Sequence, residues 1–130
     1  MKGMGSKLQI EGAYSRVVNF AMKQNYVPVI RKLTLQNQSS DTLENLKISV
    51  KVSPAFAAPW EQEISRIPAG EKVDLGAIPL QLLPEYLYSL TERVAGTMEI
   101  TVSDQNGEEL ESVSQGLDVL AYDELSLIHI

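Results

Sequence analysis

The sequence predicts an all-β domain: a sandwich of about seven short antiparallel strands in two packed sheets, crossed once by a short helix. Three observations carry this prediction. Apolar and polar residues alternate with period two over short runs, which gives each strand one dry face and one wet face. Turn-forming residues separate these runs at regular intervals, as sandwiches and barrels require. The 130 residues are 44% hydrophobic and 22% charged, enough apolar material for a single core and too little charge imbalance for general disorder.

The elements follow in order. The segment 14–22 reads as a strand with a bend rather than a short helix. Val27, Val29, Leu33 and Leu35 form a stripe with Arg31 as its odd member, predicting a strand over 27–36. Asn37-Gln38-Ser39-Ser40-Asp41 then turns the chain through side-chain hydrogen bonds to its own backbone. Leu46, Ile48, Val50 and Val52 alternate with Lys47, Ser49 and Lys51 in a strand over 43–52. Pro68-Ala69-Gly70-Glu71 separates strands at 63–67 and 72–75. Leu83-Pro84-Glu85-Tyr86-Leu87-Tyr88-Ser89-Leu90 has proline where a first helical turn accepts it, and reads as a helical cross-over. Met98, Ile100 and Val102 stripe a strand over 94–103. Asp104-Gln105-Asn106-Gly107 carries the Asn-Gly pair of a hairpin turn, leading into 108–113. Leu117, Val119 and Ala121 form the last stripe.

Composition excludes several chemistries. Seventeen acidic residues against eleven basic ones give a net charge of −6, which opposes binding to a phosphate backbone. Arg31-Lys32 is the densest basic pair. The chain has no cysteine, so disulfides, cysteine-based zinc sites and thiol nucleophiles are excluded. Met1–Lys7 has no apolar stretch of the signal-peptide kind, and no segment reaches the ~20 apolar residues of a membrane span. A cytoplasmic chain with no membrane partner is the expectation. Asn37-Gln38-Ser39 matches the glycosylation sequon, which matters only in a secreted protein.

No constellation of catalytic residues emerges, and no metal or cofactor site is expected. The one histidine, His129, lies in the terminal hexamer Leu125-Ser126-Leu127-Ile128-His129-Ile130. This hexamer resembles the in-frame translation of a transposase end sequence used in library preparation. The expectation is therefore a domain over 1–124 followed by a non-native tail over 125–130, and a triad built on His129 is excluded. Asp104, Asn106 and Glu108 superficially resemble the start of a calcium loop. However, Gly107 stands fourth instead of sixth, and Gln115 takes the twelfth place, where a bidentate glutamate is needed. Glu108, Glu109 and Glu111 read as a solvated edge, with Glu109 and Glu111 on the same face.

The residues open to a partner are few. Trp60, the one tryptophan, either plugs the sandwich edge with Phe56 beside it or anchors another domain. Glu92 and Arg93, just before the strand at 94–103, either fix a turn or meet a partner. Tyr86 and Tyr88 are expected to pack on the end of the sandwich.

Several phrases form a pattern: Leu8-Gln9-Ile10-Glu11-Gly12-Ala13-Tyr14-Ser15, Asn25-Tyr26-Val27-Pro28-Val29-Ile30, Pro59-Trp60-Glu61, Leu90-Thr91-Glu92-Arg93-Val94-Ala95-Gly96-Thr97 and Leu120-Ala121-Tyr122-Asp123-Glu124. Together they resemble the N-terminal immunoglobulin-like domain of large bacterial superfamily-one helicase-like proteins, over nearly all of residues 8–124. In that family the β domain precedes an ATPase core, and a nuclease-like region can follow. The resemblance implies a non-catalytic accessory domain whose partners are other domains of the parent chain or another protein. The present sequence contains no Gly-x-x-x-x-Gly-Lys-Ser/Thr phosphate loop, so no ATP-binding residue carries over. The alternative is a stand-alone or cell-surface adhesion module.

Overall fold

A computed structural model describes residues 7–19 and 28–120. The expectations for Val27, for the end of segment 14–22, for Ala121–Glu124 and for the hexamer with His129 lie outside the described residues.

Among the described residues, eight strands and one helix follow in the order β1 (Leu8–Tyr14), β2 (Val17–Val18), β3 (Ile30–Asn37), β4 (Leu43–Ser53), β5 (Trp60–Ile67), β6 (Lys72–Ile78), α1 (Pro84–Ser89), β7 (Val94–Ser103) and β8 (Glu109–Val119). They form a three-stranded sheet, β1-β3-β6, and a five-stranded sheet, β2-β8-β7-β4-β5. This is the immunoglobulin-like sandwich, with the chain changing sheets after β1, β2, β3, β5 and β6. Two differences from the sequence reading stand out. The stretches 109–113 and 117–119, read as two separate runs, belong to one long strand, β8. The first strand also changes sheets: β1 pairs antiparallel with β3, and after a bend at Arg16 the two residues of β2 pair parallel with Asp118 and Val119.

The core consists of the predicted stripes. Leu33, Leu35, Leu46, Ile48, Val50, Met98, Ile100, Val102, Leu117 and Val119 are all buried. Each comes from the apolar face of an alternating strand, so their burial is the main driving force of folding. Three irregularities adjust the alternation. In β3 the pairing slips between Ile30 and Leu33, so Arg31 and Lys32 both face solvent; this explains the odd member of the first stripe. In β4, Asn45 takes a left-handed conformation with φ 55°, which lets both Leu43 and Leu46 turn towards the core, although their spacing breaks the period. Asparagine tolerates this region better than most residues.

The third irregularity corrects an expectation. Glu109 pairs with Ser103 and Glu111 with Val102, leaving Leu110 as an extra residue between them. Directly opposed residues share a face. Glu109 therefore projects with Ser103 on the outer face, while Glu111 lies half-buried on the side of buried Val102. The bulge separates two carboxylates that strict alternation would have placed together.

Candidate functional site

Among the described residues, the outer face and the β5 edge of the five-stranded sheet carry a groove and a row of charged side chains. β5 is the last strand of that sheet among the described residues, bonded to β4 from Leu43↔Ile67 to Val50↔Trp60. Glu61 and Glu63 project from its outer face. Lys47 Nζ lies 3.8 Å from Glu61 Oε1, and Glu63 pairs directly with Lys47 in the ladder. One ammonium thus faces two carboxylates. The Lys47–Glu61 pair is exposed on both sides, so it contributes little to stability.

Beside the second half of β5 a groove of about 670 Å³ runs between the sheet and the β7–β8 turn, lined by Asn45, Lys47, Glu63, Ser65, Ser103 and Asp104 among others. Asn45 Nδ2 donates to Gln105 Oε1 at 3.0 Å and ties the strand to the turn. One oxygen of Asp104 accepts the backbone N–H groups of Asn106 and Glu108, each at 2.9 Å. Asp104 thus shapes the hairpin in the manner of its turn chemistry. A second, shallower groove of about 400 Å³ crosses the outer face of the other sheet around Thr34, where Lys32 and Asp74 approach within 3.8 Å.

The sequence-predicted residues are not gathered into one site. Trp60 is half-buried against the core at the start of β5, level with Val50 and Ile100. Phe56, fully buried, occupies the position of plug. Its N–H donates to the Pro54 carbonyl (2.7 Å), and its own carbonyl accepts the Leu83 N–H (2.9 Å). Glu92 and Arg93 are exposed just before β7. Ile100 lies six positions beyond Val94, roughly 20 Å along the strand, so Trp60 and the Glu92-Arg93 pair do not share a patch. On α1, Tyr86 packs against the core while Tyr88 is 62% exposed.

The sequon residue Asn37 has a role that the sequence reading missed. It is fully buried. Its Nδ2 donates to the carbonyls of Asp41 (2.7 Å) and Ile67 (2.8 Å), and its Oδ1 accepts the Ser39 N–H (2.9 Å) and hydroxyl (2.7 Å). A side-chain nitrogen engaged in this way is closed to a glycosyl donor in the folded domain. The signal was present in the sequence: Asn37 continues the apolar parity of Leu33 and Leu35.

Tyr14 is the titratable side chain whose environment is most telling. Its ring lies over Gly12, where a Cβ would come within 2.5 Å of Tyr14 Cζ and Oη. Partial burial pushes its phenol above the ordinary value of 10.0. Because the folded-state value is raised, the associated stability is fully present below pH 10.0 and is lost as pH rises through the folded value,. Urea midpoints should therefore fall more steeply above pH 10.0 in the parent chain than in Tyr14→Phe; parallel profiles would contradict this assignment.

No protein-family model matches the chain, and neither does any curated protein sequence. The fold itself has solved counterparts. One is in an exo-chitosanase from Amycolatopsis orientalis, with TM-score 0.54 and 14% identity over 85% of this chain and 11% of that one. Another is a FixG-related protein from Vibrio parahaemolyticus, with TM-score 0.52 and 11% identity over 88% of this chain and 96% of that one. The chain thus spans about 11% of the exo-chitosanase. At these identities the likeness defines the fold alone.

These neighbours overturn the resemblance to helicase-like proteins. They are a glycoside hydrolase and a FixG-related protein rather than helicase N-terminal domains, and no family or curated match supports a helicase link. The physical reason lies in the phrases themselves. Leu8–Ser15 and Leu90–Thr97 cover strand residues and a strand approach that alternate as any one-sided sheet demands,. Such phrases specify a sandwich and not a lineage.

Proposed function

We propose that this domain is a non-catalytic interaction module, docking against a protein partner or against other domains of its parent chain. The observation that carries the reading is the distribution of its polar chemistry. Inside, the side chain of Asn37 is fully engaged with the domain's own turns. Outside, the five-stranded sheet presents short polar side chains in rows: Ser49 beside Thr101, and Thr101 beside Ser112, whose hydroxyls lie 3.2 Å apart. Lys47, Lys51, Glu61 and Glu99 flank these rows.

A flat face of hydroxyls with interspersed charge suits a folded surface, where hydrogen bonds and charge pairs supply complementarity. The net charge of −6 points to a protein partner rather than a nucleic acid. The same sandwich forms 11% of the exo-chitosanase chain, so it serves elsewhere as one part of a larger polypeptide. The test is turnover. The purified chain, offered chromogenic glycosides, esters and phosphates, should hydrolyse them no faster than buffer. A rate above buffer that is lost on unfolding would overturn the reading.

A further inference from the structure

We propose that the β5 edge is a strand-addition site for an extended basic segment of a partner protein, one carrying lysine or arginine at alternate positions. This rests on the reading of the domain as an interaction module and names the surface and chemistry that module uses.

The first ground is the edge itself. A sheet edge presents unpaired N–H and C=O groups, which natural proteins blunt with short strands, bulges, proline or charged side chains, lysine above all. The other edges carry such devices: β2 has two residues, β1 shifts register at Tyr14, and β6 shifts register where Gly76 takes φ 68°. β5 runs for eight residues with neither proline nor a register shift, and its charged side chains, Glu61, Glu63 and Arg66, are mostly acidic.

The second ground is charge. The outer row of β5 holds Glu61 and Glu63 against the single ammonium of Lys47. A strand laid beside β5 brings its outer-face side chains opposite these carboxylates, where opposite charges attract and like charges repel. A second copy of this chain is disfavoured for the same reason. Two-fold pairing of β5 with itself, with outer faces matched, places Glu61 against Glu61, Glu61 against Glu63, or Glu63 against Glu63 in its central registers.

The third ground is the groove. It begins at Glu63 and Ser65 on β5 and ends at Asp104. A long basic side chain from the added strand, passing Ser65, reaches a groove whose lining holds the carboxylates of Glu63 and Asp104 on either side of Lys47. The Glu63 end is the nearer, and Asp104 is partly engaged by its own turn. In strand addition the main chain supplies affinity and such side-chain pockets supply specificity.

The experiment titrates the full chain with a short peptide of alternating lysine and valine at low ionic strength, following backbone amide signals by heteronuclear NMR. The expected result is saturable shifts confined to β5 and the groove, with slowed amide exchange along residues 60–67. Glu63→Lys should weaken binding about tenfold, the scale of one reversed cross-strand charge pair, and a glutamate–valine peptide should bind that variant better than it binds the parent chain. A peptide N-methylated on alternate residues should fail to bind. Equal binding of the N-methylated peptide would show simple charge attraction and overturn the proposal, as would shifts centred on the opposite sheet or concentration-dependent dimerisation through β5. These outcomes leave the interaction-module reading standing, since that reading falls on catalytic turnover instead.

Discussion

Replacing Asn37 by alanine should destabilise the domain by about 2 to 4 kcal/mol, because it removes four hydrogen bonds at once and strands the buried Ile67 carbonyl,. The side chain joins the end of β3 to the Ser39–Asp41 turn and, through the Ile67 carbonyl, to the end of β5 in the opposite sheet. Its backbone adds two more links, accepting the Gly70 N–H and donating to the Glu71 carbonyl, both at 2.9 Å. Alanine removes the buried hydrogen bond to the Ile67 carbonyl and the half-buried one to the Asp41 carbonyl, which keeps the Ser39 hydroxyl 2.9 Å away. Asn37→Asp separates donor from acceptor roles. It keeps the acceptor for Ser39 but turns a carboxylate towards two carbonyl oxygens, so it should be severely destabilising at neutral pH. Part of the loss should return in acid, as the protonated carboxyl regains one donor. Denaturant titration at two pH values checks both variants. A loss below about 1 kcal/mol for Asn37→Ala would mean that the turns hold without the side chain.

Phe56→Ala should cost about 3 to 5 kcal/mol, the range for emptying a large aromatic site in a packed core. Phe56 is the largest fully buried side chain. Around it the β4–β5 connection is bound to the segment before α1: Ala57 bridges Leu82, and the Ala58 N–H donates to the Gln81 carbonyl at 2.9 Å. Half-buried Trp60 removes less area from water, so Trp60→Ala should cost clearly less than Phe56→Ala. Urea unfolding of the two variants side by side decides the matter, and the reverse ranking would return the role of plug to Trp60. Small domains are stable by only about 5 to 15 kcal/mol, so either of the two large losses should bring the chain near its unfolding threshold at growth temperature.

These expectations also show what could be read from the sequence. The stripes of β4 and β7 were legible because one face of each meets the core and the other meets water, and that contrast is written residue by residue. The β7–β8 turn was legible from Asn106-Gly107, and α1 from Pro84 followed by apolar residues at helical spacing. The bulge at Leu110 was not legible, since no residue type there announces it, whereas Arg31 stands out as the odd member of its stripe without revealing that the pairing slips. The division into two sheets was hidden for a different reason. Whether β5 ends a sheet depends on pairing decided by distant strands, so the free edge beside Glu61 and Glu63 could not be recognised locally. Asn37 was read as turn chemistry because asparagine usually serves that purpose, although its parity placed it inside.

The change of sheets between β1 and β2 has a consequence for the order of assembly. Val17 and Val18 find their ladder partners only at Asp118 and Val119. During synthesis the chain can therefore form β1 against β3, and β4 against β5, long before β2 has anything to bond to. Closing a loop of that length opposes the pairing entropically until the strands between have docked. Of the first two strands it is therefore β2 that must wait, since Val17 and Val18 have no ladder partner until Asp118 and Val119 have left the ribosome.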